Sequence, residues 1–188
     1  MKNGLKVIIA VAAVILVLVG IVAGSYNSLV TAQTAVETKQ ADIQTQLQRR
    51  ADLIPNFVST VKGYTKYEQE TLTAVTEARA KVGSANSAQS LSEADEELDK
   101  AISVWVNAVT EAYPDLKANS NYIALQDELA GTENRIAVAR KDYNEAVQSY
   151  NAMIKKFPKN IIAGMFGFEK ADFFNADSSA QTVPSVEF

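Results

Sequence analysis

The hydrophobic positions follow two different patterns along the chain. From Val7 to Ala23 the sequence reads VIIAVAAVILVLVGIVA, with no charged side chain, and beyond it the apolar positions thin to spacings of threes, fours and sevens. A helix apolar on every side has no face to offer water. About 17 such residues at ~1.5 Å each cover roughly 25 Å, close to the ~30 Å hydrocarbon core of a bilayer. Leu5 before the run and Gly24 after it lengthen the span to residues 5–24. Lys6 is placed to snorkel at one interface and Tyr26 to sit at the other. The small residues Val22-Ala23-Gly24 ahead of Ser25 also suit a cleaved signal peptide. The run is longer than a typical signal core, however, and helix-compatible sequence follows without a break, which favours a retained anchor.

After the anchor every apolar stripe has helical spacing. Leu29, Val36, Ile43, Leu47 and Ile54 form the first; Ile54, Phe57, Val58, Val61, Leu72, Val75 and Val82 the second. Leu91, Leu98, Ile102, Trp105 and Val109 form the third, and Tyr122, Leu125, Leu129, Ile136, Tyr143, Val147, Tyr150 and Ile154 the fourth. None alternates as a half-buried strand would. The fold class is therefore all-α: an N-terminal transmembrane helix, residues 1–25, followed by an antiparallel up-and-down four-helix bundle, residues 26–157. Residues 158–188 form an apolar, aromatic C-terminal tail.

Local chemistry marks the breaks. Gly83 to Ser87 is a small polar linker, followed by a capping-box pattern at Ser90 and Glu93. Tyr113-Pro114 ends the third helix, because a residue before proline is pushed out of the α region. Asn119 or Ser120 caps the fourth, and Phe157-Pro158 ends it. The first break has two readings. Asp52 caps a new helix with Pro55 in its first turn, or the helix kinks at Pro55 and turns at Gly63. The pattern favours a turn within residues 50–55.

Charge and composition then remove whole classes of function. The 22 acidic residues outnumber the 18 basic ones, which speaks against a nucleic-acid partner. Cysteine and histidine are both absent, which excludes thiol and Ser-His-Asp nucleophiles, zinc sites with nitrogen or sulfur ligands and Glu-x-x-His di-iron sites. Glu128, Glu133, Asp142 and Glu145 on the fourth helix read as solvated faces with helix ion pairs rather than a metal centre. No catalytic residue, cofactor or metal is expected. Lys2 and Lys6 precede the uncharged run, and the next basic residue is Lys39, so the positive-inside rule puts the N-terminus in the cytoplasm and the bundle outside.

Three sets of residues are candidates for interaction. Gly20 and Gly24 form a small-xxx-small pair that would let two anchors pack as a homo-oligomer. Arg49, Arg50 and Asp52 would share the bundle tip with the loop carrying Tyr113, Asp115 and Leu116, roughly 38 Å of helix above the membrane, as a surface for other envelope proteins. The plain alternative is turn chemistry and a surface ion pair worth about 0–1 kcal/mol. In the tail, Ile161, Ile162, Phe166 and Phe168 beside Lys155, Lys156 and Lys159 would either lie in the membrane interface or fold back into a groove of the bundle. Their glycine-interrupted runs favour the groove. Tyr122, Tyr143 and Tyr150 read as packing residues with hydroxyls at the rim.

Several blocks, in order, resemble the LemA family. They include Tyr26-Asn27-Ser28-Leu29-Val30, the stretch from Ala41 to Val58, Val61-Lys62-Gly63-Tyr64 and Ala78-Arg79-Ala80. Tyr113 to Asn119, Leu125-Gln126, Thr132 to Ile136, Arg140, Tyr143-Asn144, Tyr150-Asn151, Phe157-Pro158 and Phe166-Gly167-Phe168 continue the match over nearly the whole chain. The resemblance implies a bacterial protein with one membrane helix and a four-helix bundle, linked to membrane-associated processes and organelle formation. It brings no catalytic residues. The expectation is a non-enzymatic interaction or scaffold protein of the inner membrane, the alternative being a membrane-shaping or lipid-organising protein that self-assembles through anchor and tail.

Overall fold

A computed structural model describes residues 2–62 and 69–174, with side chains from residue 4 to 60 and from 73 to 174. The elements are α1 (Lys2–Lys62), α2 (Gln69–Ser84), α3 (Ala88–Ala112), a short 3-10 helix (Pro114–Ala118), α4 (Ser120–Met153) and α5 (Lys159–Phe166). No strand occurs among the described residues. The expected all-α class holds.

The first break is not within residues 50–55. α1 runs through Pro55 to Lys62, the last residue described before Gln69. A proline inside a helix costs about 3 kcal/mol, because it cannot donate to the carbonyl four residues back and its ring crowds that carbonyl. Here the ring sits on the exposed face, while Ala51, Ile54 and Phe57 are buried on the other. Burying a side chain such as Ile or Phe is worth about 1.5–3 kcal/mol each, so continuing the helix outweighs the defect. The alternative turn at Gly63 lies outside the described residues.

The chain divides into two compact units, and α1 and α4 contribute to both. One holds Lys39–Asn144 with the described tail from Asp172. Its helices are antiparallel in succession, as the paired residue numbers show. Going up α1, Lys39, Arg50 and Phe57 meet Asp142, Glu133 and Tyr122 going down α4. Gln40 and Asp52 of α1 meet Asn86 and Arg79, descending toward α2. Across the bundle, Arg50 and Phe57 of α1 meet Asp99 and Trp105 of α3, both ascending, so this pair is parallel. That is the expected up-down-up-down order. The core contains Ile43, Leu47, Leu91, Leu98, Trp105, Tyr122 and Ile136, all members of the stripes. The stripe residues Val61 and Leu72 lie outside the described side chains.

The other unit holds the chain up to Thr38 and Glu145–Ala171. Ile162 and Ala163 of α5 pack with Leu29 of α1, and Met153, Ile154 and Phe168 close around them. Most of the N-terminal apolar stretch is uncovered, from Leu5 at 61% to Leu16 at 72% exposure. Among the described residues α1 is the one helix long and apolar enough to cross a membrane.

The remaining breaks differ from expectation in detail. The capping box of α3 pairs Ser87 with Ser90, each hydroxyl accepting from the other's backbone N–H, three residues before the predicted start. α2 itself extends to Ser84 and leaves a shorter link. Asn119 caps α4 as expected, its Oδ1 accepting from the N–H groups of Asn121 and Tyr122. α4 stops at Met153, ahead of Phe157-Pro158, and α5 ends on Gly167 at φ 74°, a left-handed position that glycine adopts without penalty. Pro55→Ala restores a helix hydrogen bond at an exposed site and is expected to stabilise the protein by about 1–3 kcal/mol. Chemical denaturation of the detergent-solubilised chain, followed through its single Trp105, measures this; a loss of stability would mean that proline is needed for a turn.

Candidate functional site

The centre of the bundle unit holds charge instead of hydrocarbon. Arg50 comes from α1, Asp95 and Asp99 from α3, and Glu133 and Arg140 from α4. Arg50 is 4% exposed and Asp95 1%. The Arg50 Nη1 donates to Glu133 Oε2 at 2.6 Å and its Nη2 to Asp99 Oδ1 at 2.5 Å. Asp95 Oδ1 lies 3.8 Å from Arg50 Nη1, and Asp95 Oδ2 accepts from Arg140 Nη2. Two arginines thus face three carboxylates across three helices. Asp99 and Glu133 keep an edge in solvent, at 43% and 42% side-chain exposure.

The tail closes over this layer. Phe174 is 4% exposed, and its ring lies 5.4 Å from the Arg140 guanidinium carbon, a cation–π contact. Asn144 grips the Phe174 backbone twice: its Oδ1 accepts from the Phe174 N–H at 2.9 Å and its Nδ2 donates to the Phe174 carbonyl at 3.0 Å. The Tyr143 hydroxyl donates to the Asp172 carbonyl at 2.8 Å. Burial, with the Asp172 charge adding to it, pushes the Tyr143 hydroxyl above its ordinary pKa. In the other unit Asn151 holds Ala171 by the same pair of bonds, at 2.9 and 2.8 Å.

A second cluster forms where the apolar span of α1 ends. The Tyr26 ring meets Phe166 at 4.9 Å and Phe168 at 5.7 Å. Two residues on, Lys159 Nζ donates to Ser28 Oγ at 2.7 Å. Burial raises the Tyr150 hydroxyl above its usual value, helped by the carboxylates of Glu169 and Glu37.

The structure therefore redistributes the predicted surface. Arg50 is not at a tip and not exposed: α1 continues for three more turns, and the guanidinium is enclosed by carboxylates. Leu116 is fully buried under the short 3-10 helix, so it offers no exposed apolar contact. Arg49 and Asp52 are exposed on α1, paired with Glu128 at 2.9 Å and Arg79 at 3.3 Å. Tyr113 and Asp115 follow the far end of α3, about 20 Å of helix beyond Asp99, and do not join the arginines. In the tail, Ile162 is buried and Phe168 half-buried, while Ile161 and Phe166 are 52% exposed; Lys155 and Lys156 are exposed, and Lys159 is half-buried. Gly20 and Gly24 stand in open space, where an added Cβ would meet nothing within 4 Å. Among the acidic candidates, Glu128 pairs with Arg49 and Arg135, Glu133 with Arg50, and Asp142 with Lys39.

Asp95, Asn144 and Asn151 were not picked out as functional. Their signal lay in position. Asp95 falls four residues after Leu91 and three before Leu98, on the core stripe, and the Tyr-Asn pair recurs after seven residues on α4.

An uncovered apolar span leading into an all-α bundle with a paired ionic layer defines a membrane-anchored helical-bundle protein. The sequence profile of the LemA family matches residues 39–188, and the chain belongs to that family. It is similar to Magnetosome protein MamQ 2 of Paramagnetospirillum magneticum, 25% identical over 84% of this chain and 67% of that one. It is also similar to Protein LemA of Metamycoplasma hominis, 29% identical over 81% of this chain and 67% of that protein.

Replacing one partner of a buried ion layer leaves the others uncompensated. Arg50→Leu is expected to cost about 3–5 kcal/mol, against at most ~1 kcal/mol for the exposed Arg49→Leu. Equal losses in denaturant unfolding would contradict the enclosed role of Arg50. Tyr143 has its pKa raised in the folded state, so its stabilising effect is complete below the unfolded value near 10 and is lost as pH rises through the folded one. Tyr143→Phe should remove about 1 kcal/mol at neutral pH and flatten the alkaline loss of stability above pH ~10.

Proposed function

We propose that this LemA-family protein is a non-enzymatic scaffold of the bacterial cell envelope, tethered in the inner membrane by residues 5–24, with its bundle outside the cytoplasm. The observation that carries this reading is the use of the bundle's charges: Arg50, Asp95, Asp99, Glu133 and Arg140 are held against one another between helices. Such groups fix a shape and leave the outer faces to meet partners. The absence of histidine and cysteine supports it further, by removing the commonest catalytic side chains. The partners are other envelope proteins, met on the exposed α1 face that carries Arg49 and Asp52. The orientation is supported by Lys2 and Lys6 ahead of the uncharged run that starts at Val7.

Two measurements test it. Alkaline phosphatase fused to the C-terminus should be active, as it is only outside the cytoplasm; an inactive phosphatase with a fluorescent cytoplasmic reporter would reverse the orientation. A photo-crosslinker replacing Gln48, on the same exposed α1 face, should yield adducts with other envelope proteins in intact cells. Adducts only to the chain itself would reject the scaffold reading in favour of self-assembly.

A further inference from the structure

α5 is apolar on two faces, and the fold covers one. On the inner face Ile162 and Ala163 are 5% and 4% exposed against Leu29 of α1. The outer face carries Ile161 and Met165, one helical turn apart, at 52% and 71% exposure. Phe157, in the turn before the helix, is 80% exposed, and Phe166 keeps 52% even while it stacks on Tyr26. Fold-back packing explains the first set and not the second. Large apolar side chains grouped this way in water mark a surface made for something apolar.

What covers them follows from where α5 is held. Its contacts to α1 fall on Tyr26, Ser28 and Leu29, directly after Gly24 closes the bare apolar span. The outer apolar face is thus continuous with the lipid-facing surface of the anchor in the same compact unit. Tyrosine at this height belongs to the headgroup level of a bilayer. Exposed Lys155, Lys156 and Lys170 flank the patch in sequence, with Glu169 the one exposed acid among residues 155–170. Exposed apolar residues with lysines beside them in the sequence are the composition of a helix lying in an anionic interface.

We propose that α5 and the turn before it form a second membrane contact, a foot that inserts Phe157, Ile161 and Met165 into the headgroup–acyl boundary beside the anchor. Its lysines meet anionic lipid headgroups. One chain then holds the bilayer at two points, and the base of the protein cannot swivel freely about its span. This rests on the anchoring read above.

The lack of cysteine allows single labels in the full-length chain. Ile161→Cys, Met165→Cys and, within the span, Val14→Cys are labelled with an environment-sensitive fluorophore and placed in nanodiscs containing phosphatidylglycerol. Spin-labelled lipids quenching near the headgroup or deep in the acyl chain report depth. The labels at 161 and 165 should be quenched chiefly by the shallow probe, and the label at 14 by the deep one. Lys155→Glu with Lys156→Glu should remove most of the shallow quenching, while the label at 14 keeps its deep quenching. Quenching at 14 with none at 161 and 165 would overturn the foot and leave the anchor standing; so would labels at 161 and 165 shielded from both lipid and aqueous iodide, the mark of a second copy or a protein partner. Loss of quenching at all three sites would overturn anchoring as well. Full shallow quenching in the double lysine variant would overturn the role given to anionic headgroups.

Discussion

The buried carboxylate of Asp95 is the constraint around which the bundle unit is arranged. Removing a carboxylate from water costs several kcal/mol, and the cost is offset only where cations and hydrogen bonds meet it with good geometry. Arg140 supplies one partner from α4 and Arg50 lies close by from α1. Arg50 in turn needs Asp99 and Glu133, on two different helices. Sliding any one of these helices by a turn would strand a charge in the interior. Apolar stripes alone tolerate such slips, because leucine against leucine is much the same one turn further on. The ionic layer is therefore better understood as what fixes register than as a net source of stability.

That layer also shows how sequence reading succeeds and where it stops. The apolar stripes were legible because burial imposes helical spacing, and Leu29, Ile43, Leu98 and Tyr122 lie where the spacing puts them. Arg50, Asp95 and Arg140 occupy the same stripes: three after Leu47, four after Leu91 and four after Ile136. A charged residue at a core position looks like a gap in one helix viewed alone. Its meaning appears only when opposite charges on other helices are known to stand at the same level, and pairing between helices is not written in any single one. Pro55 shows a related limit: its local cost is visible in the sequence, while the tertiary burial of Ala51 and Phe57 that exceeds it is not. Leu116 shows the same limit: nothing in the loop sequence marks it as core, yet the short 3-10 helix folds it inward.

The tail illustrates a different limit. An extended segment crossing a helix finds no ladder for its N–H and C=O groups, since the helix has bonded its own. Side-chain amides solve this, because asparagine carries a donor and an acceptor on one plane. Asn144 serves Phe174 in one unit and Asn151 serves Ala171 in the other, by the same two bonds. The segment itself, Glu-Lys-Ala-Asp-Phe-Phe, has no periodicity that marks it as docked. What was readable was the site rather than its occupant: the Tyr-Asn repeat at seven residues places two amides along α4, and their polarity beside a buried tyrosine was the available signal.

These features bear on what the bundle is suited to do. A carboxylate that works as an acid or base has to exchange its proton with a reacting group, so it needs access and freedom from a permanent counter-charge. The carboxylates that stood out in α4 are instead tied to bases on α1: Glu128 to Arg49, Glu133 to Arg50, Asp142 to Lys39. Spaced along the helix, these ties join α1 and α4, the two longest elements, along much of the bundle unit. Apolar groups show the opposite arrangement, since the span of α1 and the outer face of α5 remain uncovered. The bundle unit thus pairs buried charges across helices, while the hydrocarbon of the α1 span and of the outer α5 face stays uncovered, and this contrast is the physical ground for the scaffold proposed above.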